Sequence, residues 1–135
     1  MRVTLAAWAI GCGGGPQVVA IPPGYFTLTP SAEGWNLQAD THVIVPGVQA
    51  LLWEEGTIIA QNVEGRFVIE GRPEVRRALT PAQNAERFWH GPLSDTGYFA
   101  LSGSLEMPPR PVLVPVADAA RCLAANTAAS ACTGG

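Results

Sequence analysis

The stretch HVIVPGVQALLWEEGTIIAQNVEGRFVIEG, residues 42–71, decides the fold class. Its apolar residues fall in short blocks: Val43-Ile44-Val45, Leu51-Leu52-Trp53, Ile58-Ile59-Ala60 and Phe67-Val68-Ile69. Pro46-Gly47, Glu55-Gly56, Gly65 and Gly71 separate them. β-branched and aromatic blocks of this length, bounded by Gly or Pro, are strands joined by turns. No long amphipathic helix interrupts the run.

Working toward the N-terminus, the pattern continues. Trp35, Leu37 and Ala39 alternate with polar residues. Val18 to Ile21 is a short apolar strand, cornered by Pro22-Pro23-Gly24, and Tyr25 to Leu28 is a second. Proline fixes φ and glycine allows positive φ, so such a triplet turns the chain sharply. Residues 30–34 read as another turn.

Beyond Arg72 the character changes. Thr80, Pro81 and Gln83 stand as N-cap, first-turn proline and capping-box partner, which predicts a helix over 81–89 stopped by His90-Gly91-Pro92. Strand-like segments return at 97–102 and 111–116. The Ala-rich tail predicts a helix over 117–125, with residues 133–135 frayed.

Composition bounds the function. The chain has 135 residues, 47% apolar and only 14% charged, with a net charge of −3 and eight basic residues that are all Arg. A typical soluble domain carries about 25% charge. Without clustered cations it lacks the footprint of a nucleic-acid binder. It is too apolar for a disordered chain, and no apolar run reaches the ~18 residues of a membrane-spanning helix. Lysine chemistry is excluded outright.

The chain therefore reads as one domain over 1–135. It comprises a capping helix or export segment (1–15), a short-strand β core (16–72), a helical excursion (73–92), and strands with an Ala-rich tail (93–135). The N-terminal segment supports both readings. Leu5, Trp8, Ala9 and Cys12 share one helical face. Equally, Arg2 and the apolar residues after it resemble a signal, and Ala9-Ile10-Gly11-Cys12 resembles a lipobox, with Cys12 as lipid carrier. Independently, Cys122 and Cys132 are close enough in sequence to close one small loop as a disulfide if the compartment is oxidising, with two buried or idle thiols as the alternative, and a lipidated Cys12 leaves them to pair.

Gly13-Gly14-Gly15-Pro16 through Pro22-Pro23-Gly24-Tyr25-Phe26 resembles the opening of the pectin lyase-like right-handed β-helix superfamily. Residues 41–59 are similar to a second coil and 62–71 to a third. The resemblance spans residues 1–72. It implies a mainly β fold: a short right-handed β-helix-like stack with a capping helix. The alternative on the same pattern is a small β-sandwich or barrel.

The family's enzymes cluster acids on one face, and no such cluster can be carried over to Asp40, Asp95 and Asp118. Glu54-Glu55 is an adjacent pair whose side chains would diverge in a strand-turn. His42 reads as a strand residue and His90 as a helix-end residue satisfying carbonyls. No convergence joins Ser94 and Asp95 to His90 as a triad. There is no CxxC, and the sequence points to no metal and no cofactor.

Trp35 and Trp53 are the candidate contacts for a glycan or partner, with core packing as the plainer role. The expectation is a non-enzymatic structural or attachment protein. It would be a virion accessory or decoration component with protein partners in a homo-oligomer or larger assembly. The alternatives are an exported lipoprotein with a β-rich domain, lipid-anchored in the cell envelope or secreted, and a glycan-binding or glycan-active β-helix fragment.

Overall fold

The computed structural model describes residues 17–22, 24, 26–32, 34–54, 57–70, 83 and 89–132. Strands hold 46% of them and helices 24%, so the fold is mainly β. Four strands form one sheet: β1 (Val19–Ile21), β2 (Phe26–Ser31), β3 (Gly34–Ala39) and β4 (His42–Val45), in that order. Four more follow: β5 (Ala50–Glu54), β6 (Thr57–Asn62), β7 (Gly65–Glu70) and β8 (Trp89–Leu93). Helix α1 is Asp95–Ser104, β9 is Val114–Pro115, α2 is Val116–Ala124, and a 3-10 turn covers Ala129–Ala131. The second sheet has the order β9-β5-β6-β7-β8.

Every strand pairing among the described residues is antiparallel. Stacked right-handed β-helix coils pair in parallel, so the stacked-coil expectation gives way to two hairpin meanders. The physical reason lies in turn length. Asp40-Thr41 joins paired Ala39 and His42, and Val63-Glu64 joins paired Asn62 and Gly65. Two-residue connections permit only antiparallel neighbours. The sheets do not close into a barrel. The expected capping helix over 1–15 lies outside the described residues, as does all but Gln83 and Trp89 of the expected helix over 81–89. Trp89 and His90 are strand residues, not the end of a helix.

Burial explains the layering. In β2 and β3, Phe26, Leu28, Leu37 and Ala39 are buried while Thr27, Asn36 and Gln38 face outward. That period of two is a sheet covered on one face. In β6 and β7, Ile58-Ile59-Ala60 and Phe67-Val68-Ile69 are buried without a break. Such runs mark a sheet covered on both faces. Ile58, Ala60, Phe67 and Ile69 join Leu28, Leu37 and Val45 in one core between the sheets. Ile59 and Val68 face the other way, into a second core completed by Tyr98 of α1. In β4 a register shift lets Ile44 and Val45 both turn inward.

Helix α1 replaces the strand expected at 97–102. Ser94 Oγ accepts the Gly97 N–H at 3.0 Å, capping the helix, with Asp95 in its first turn. Helix α2 falls where it was expected. Val116, Ala119, Ala120 and Leu123 form its inward stripe, and it packs against β1 of one sheet and β5 and β9 of the other.

The crossover between sheets is held by side-chain amides. Asn36 Oδ1 accepts the Gly47 N–H at 3.1 Å, and the Val48 N–H donates to the Trp35 carbonyl at 2.7 Å. Asn62 is buried. Its Nδ2 donates to the Pro46 carbonyl at 2.9 Å and its Oδ1 accepts the Glu64 N–H at 2.8 Å. One carboxamide thus ties the β4–β5 connection to the β6–β7 hairpin.

At the β8 edge Gly91 sits at φ 140°, where a Cβ would lie 2.7 Å from the Phe67 ring and 2.9 Å from the Arg66 carbonyl oxygen. Only glycine fits there. Gly91→Ala should destabilise the fold by about 2–4 kcal/mol, from backbone strain and displacement of Phe67. Asn62→Ala leaves the Pro46 carbonyl and Glu64 N–H without partners and should cost about 2–3 kcal/mol. Urea unfolding checks both: the midpoint falls while the slope stays constant.

Candidate functional site

The end of β5 carries Trp53 and Glu54 and meets the turn that leads to Cys132. Trp53 is 6% exposed and belongs to the core between the sheets. Trp35 in β3 is half-buried, lies opposite Pro30, and packs on the same core. Neither ring lies free as a platform; both are packing elements.

Cys122 and Cys132 are joined as a disulfide with Cα atoms 6.0 Å apart. Cys12 lies outside the described residues. The bond closes a short loop that α2 itself prepares. Asn126 takes φ 56° just beyond the helix; its N–H donates to the Leu123 carbonyl at 3.1 Å and the Thr127 N–H to the Cys122 carbonyl at 2.8 Å. This is a Schellman stop with asparagine in the left-handed position. It reverses the chain, so Ala129 and Cys132 re-enter the core at 6% and 5% exposure.

The returning 3-10 turn packs against β5. On one side of it is a cleft of about 690 Å³ that includes Pro22, Trp53, Glu54, Leu123 and Thr127. On the other is a cleft of about 440 Å³ that includes Leu52, Glu54, Arg110, Val112 and Cys132. Ala129 and Ser130 line both. A smaller cleft of about 190 Å³ includes Glu54, Thr57 and Glu106 in its lining. Glu54 is therefore common to all three clefts, and it is exposed. The second member of the expected acid pair, Glu55, is outside the described residues.

The other polar candidates have structural partners. His90 Nε2 lies 2.8 Å from Glu70 Oε2, across the β7–β8 pair, and does not cap a helix. Ser94 Oγ is used by its N-cap bond, so Ser94 and His90 are not brought together as a catalytic pair. Asp118 pairs with Arg121 at 2.8 Å, Asp40 occupies a turn at φ 55°, and His42 is exposed at the start of β4. Among the described residues no group of three or more His, Cys, Asp or Glu gathers as a metal site. Among the same residues no helix is long and apolar enough to cross a membrane.

One cluster escapes a reading of the sequence. The Arg66 guanidinium carbon stands 4.8 Å above the Tyr98 ring, and its Nη2 donates to Gln61 Oε1 at 3.3 Å. Arg66 Nε is buried without a hydrogen-bond partner. Tyr98 Oη donates to the Pro108 carbonyl at 2.8 Å. These residues stand on β7, β6 and α1, and no local pattern announces their meeting.

Burial raises the Tyr98 phenol above its usual range, against a smaller opposing pull from Arg66. The folded chain therefore holds Tyr98 neutral more strongly than the unfolded chain does. The stabilisation is complete below the unfolded pKa of about 10 and is lost as pH rises through the folded value. Wild type should lose stability in urea above pH ~10 more steeply than Tyr98→Phe. The variant should start about 1 kcal/mol lower at neutral pH, for the lost bond to Pro108. Equal alkaline slopes would show that Tyr98 is not the group responsible.

Compared with known proteins, the chain matches no protein-family model, no curated protein and no solved structure.

Proposed function

We propose that this chain is a non-enzymatic structural or attachment protein that works in an oxidising setting. The observation that carries this reading is the Cys122–Cys132 disulfide. Disulfides persist in secreted, periplasmic and surface proteins and are rare where glutathione keeps thiols reduced. The bond is built into the fold, because α2, its stop and the 3-10 turn all converge on it.

Two settings follow. With two cysteines paired, Cys12 in Ala9-Ile10-Gly11-Cys12 is left to carry lipid, which supports an exported lipoprotein. Several apolar side chains stand out from the surface, among them Phe99 at 63% and Val112 at 84% exposure, with Trp89 on an edge strand. They support a component of a larger assembly, such as a virion, where neighbours cover them.

Intact-mass spectrometry on thiol-blocked protein from its native source tests both parts. The oxidising reading expects no blocking group on Cys122 or Cys132; labelling of both would overturn it. Loss of residues 1–11 with added acyl mass selects the lipoprotein. A mass that includes Met1 removes that setting and leaves the assembly component.

A further inference from the structure

Glu54 ends β5 as an exposed residue whose carboxylate has no partner among the described residues. The ion pairs among them are His90–Glu70 and Arg121–Asp118, and no side-chain hydrogen bond reaches Glu54. Arg110 lines the neighbouring cleft of about 440 Å³ without pairing with it. An unpaired charge in a concave lining attracts a ligand of opposite sign.

The cleft of about 690 Å³ adds a second negative element. Leu123 belongs to the last turn of α2, and Asn126 and Thr127 follow directly beyond the helix. The cleft therefore opens at the negative end of the α2 dipole, which favours cations. Arg121, the basic residue of that turn, is engaged by Asp118 at 2.8 Å and does not line the cleft. Among the described lining residues Glu54 is the one with a formal charge. The helix end and the carboxylate thus act on the same space with the same sign. The volume lies within the range of ordinary small-ligand sites.

We propose that this cleft binds a primary ammonium group carried on an aliphatic stem. An ammonium has three donors diverging from one atom, which suit acceptors on separate residues. Glu54 offers a carboxylate, Asn126 a carboxamide oxygen and Thr127 a hydroxyl. The apolar part of the lining, Pro22, Trp53 and Leu123, suits the stem. Trp53 at 6% exposure is too buried to stack on a sugar ring, so a slim chain fits better than a glycan. A metal ion fits poorly, because among the described residues no further His, Cys, Asp or Glu gathers with Glu54 as a ligand set. The 135 residues contain no lysine, so no side chain within them supplies the group. It comes from another molecule, as a free alkylamine or as a lysine side chain. This assignment goes beyond the structural role proposed above and does not depend on it.

The test is a titration of the full oxidised chain, followed by amide and indole NMR shifts. The probes are n-pentylammonium, its neutral counterpart 1-pentanol, and N-acetyl-lysine methylamide, all at constant ionic strength. Pentylammonium should give saturable shifts at Trp53, Asn126 and Thr127, with a Kd of about 1–10 mM. Glu54→Gln should weaken it about fivefold with the rest of the spectrum unchanged, while Glu106→Gln should leave it as in wild type. Added salt should weaken it as well. Comparable binding of the lysine derivative assigns a partner's lysine as a competent source; pentylammonium binding alone assigns a free amine. The proposal is overturned by equal binding of pentanol, by unchanged affinity in Glu54→Gln, or by equal losses in Glu54→Gln and Glu106→Gln. Absence of saturable shifts up to about 100 mM of either amine overturns it too.

Discussion

The Asn62 carboxamide is the constraint on which the two-sheet arrangement turns. Where the chain leaves β4 for β5 it passes out of one ladder before entering the other. Its backbone polar groups there can have no ladder partners, and orphaned groups beside a core are costly. Asn62 supplies a donor to the Pro46 carbonyl and takes the Glu64 N–H in return, so the crossover and the β6–β7 hairpin are fixed by the same side chain. Asn36 does the corresponding work from the first sheet, on the Gly47 N–H. With the joint set from both sides, Leu37 and Val45 come to share one core with Leu51 and Ala60.

That joint also explains the low charge of the chain. A two-layer β fold needs apolar residues on one face of each sheet. Here the second sheet is covered twice, by the first sheet and by α1, so Ile59 and Val68 are spent on a second core. Much of the apolar content is therefore internal. The large apolar side chains that remain outside among the described residues are Val18, Val43, Val63, Phe99 on α1, Val112, and Trp89, whose ring stacks on Phe67 at 6.0 Å between centroids.

The strands were legible because Gly and Pro bound them, and the local signal was strong from Val43 to Ile69. Their pairing was not. Inward-facing periodicity is the same for a stacked coil and a hairpin, and the difference lies in whether a turn brings the chain back beside itself. The two-residue turns at Asp40-Thr41 and Val63-Glu64 held that information. Helix α1 was missed because Tyr98-Phe99-Ala100-Leu101 looks strand-like, although Ser94 and Asp95 give a cap signal. The spacing of Tyr98 and Ser102, its two buried residues, is helical as well. At the site, the pairing of Cys122 with Cys132 was visible in their spacing. The return of the 3-10 turn onto β5 was not, because an Ala-rich segment carries no pattern that names the strand it packs on.

The disulfide sits where covalent help has most effect. The two sheets and α2 bury large side chains and are held by packing. The segment after Asn126 has no comparable apolar anchor, and a 3-10 turn of three residues cannot stand alone in water. Closing a loop of this size contributes about 2–3 kcal/mol by restricting the unfolded chain. That is of the order needed to order a short segment of small residues, and small against the whole core. The bond is therefore matched to a local task. It keeps one short piece of chain against β5.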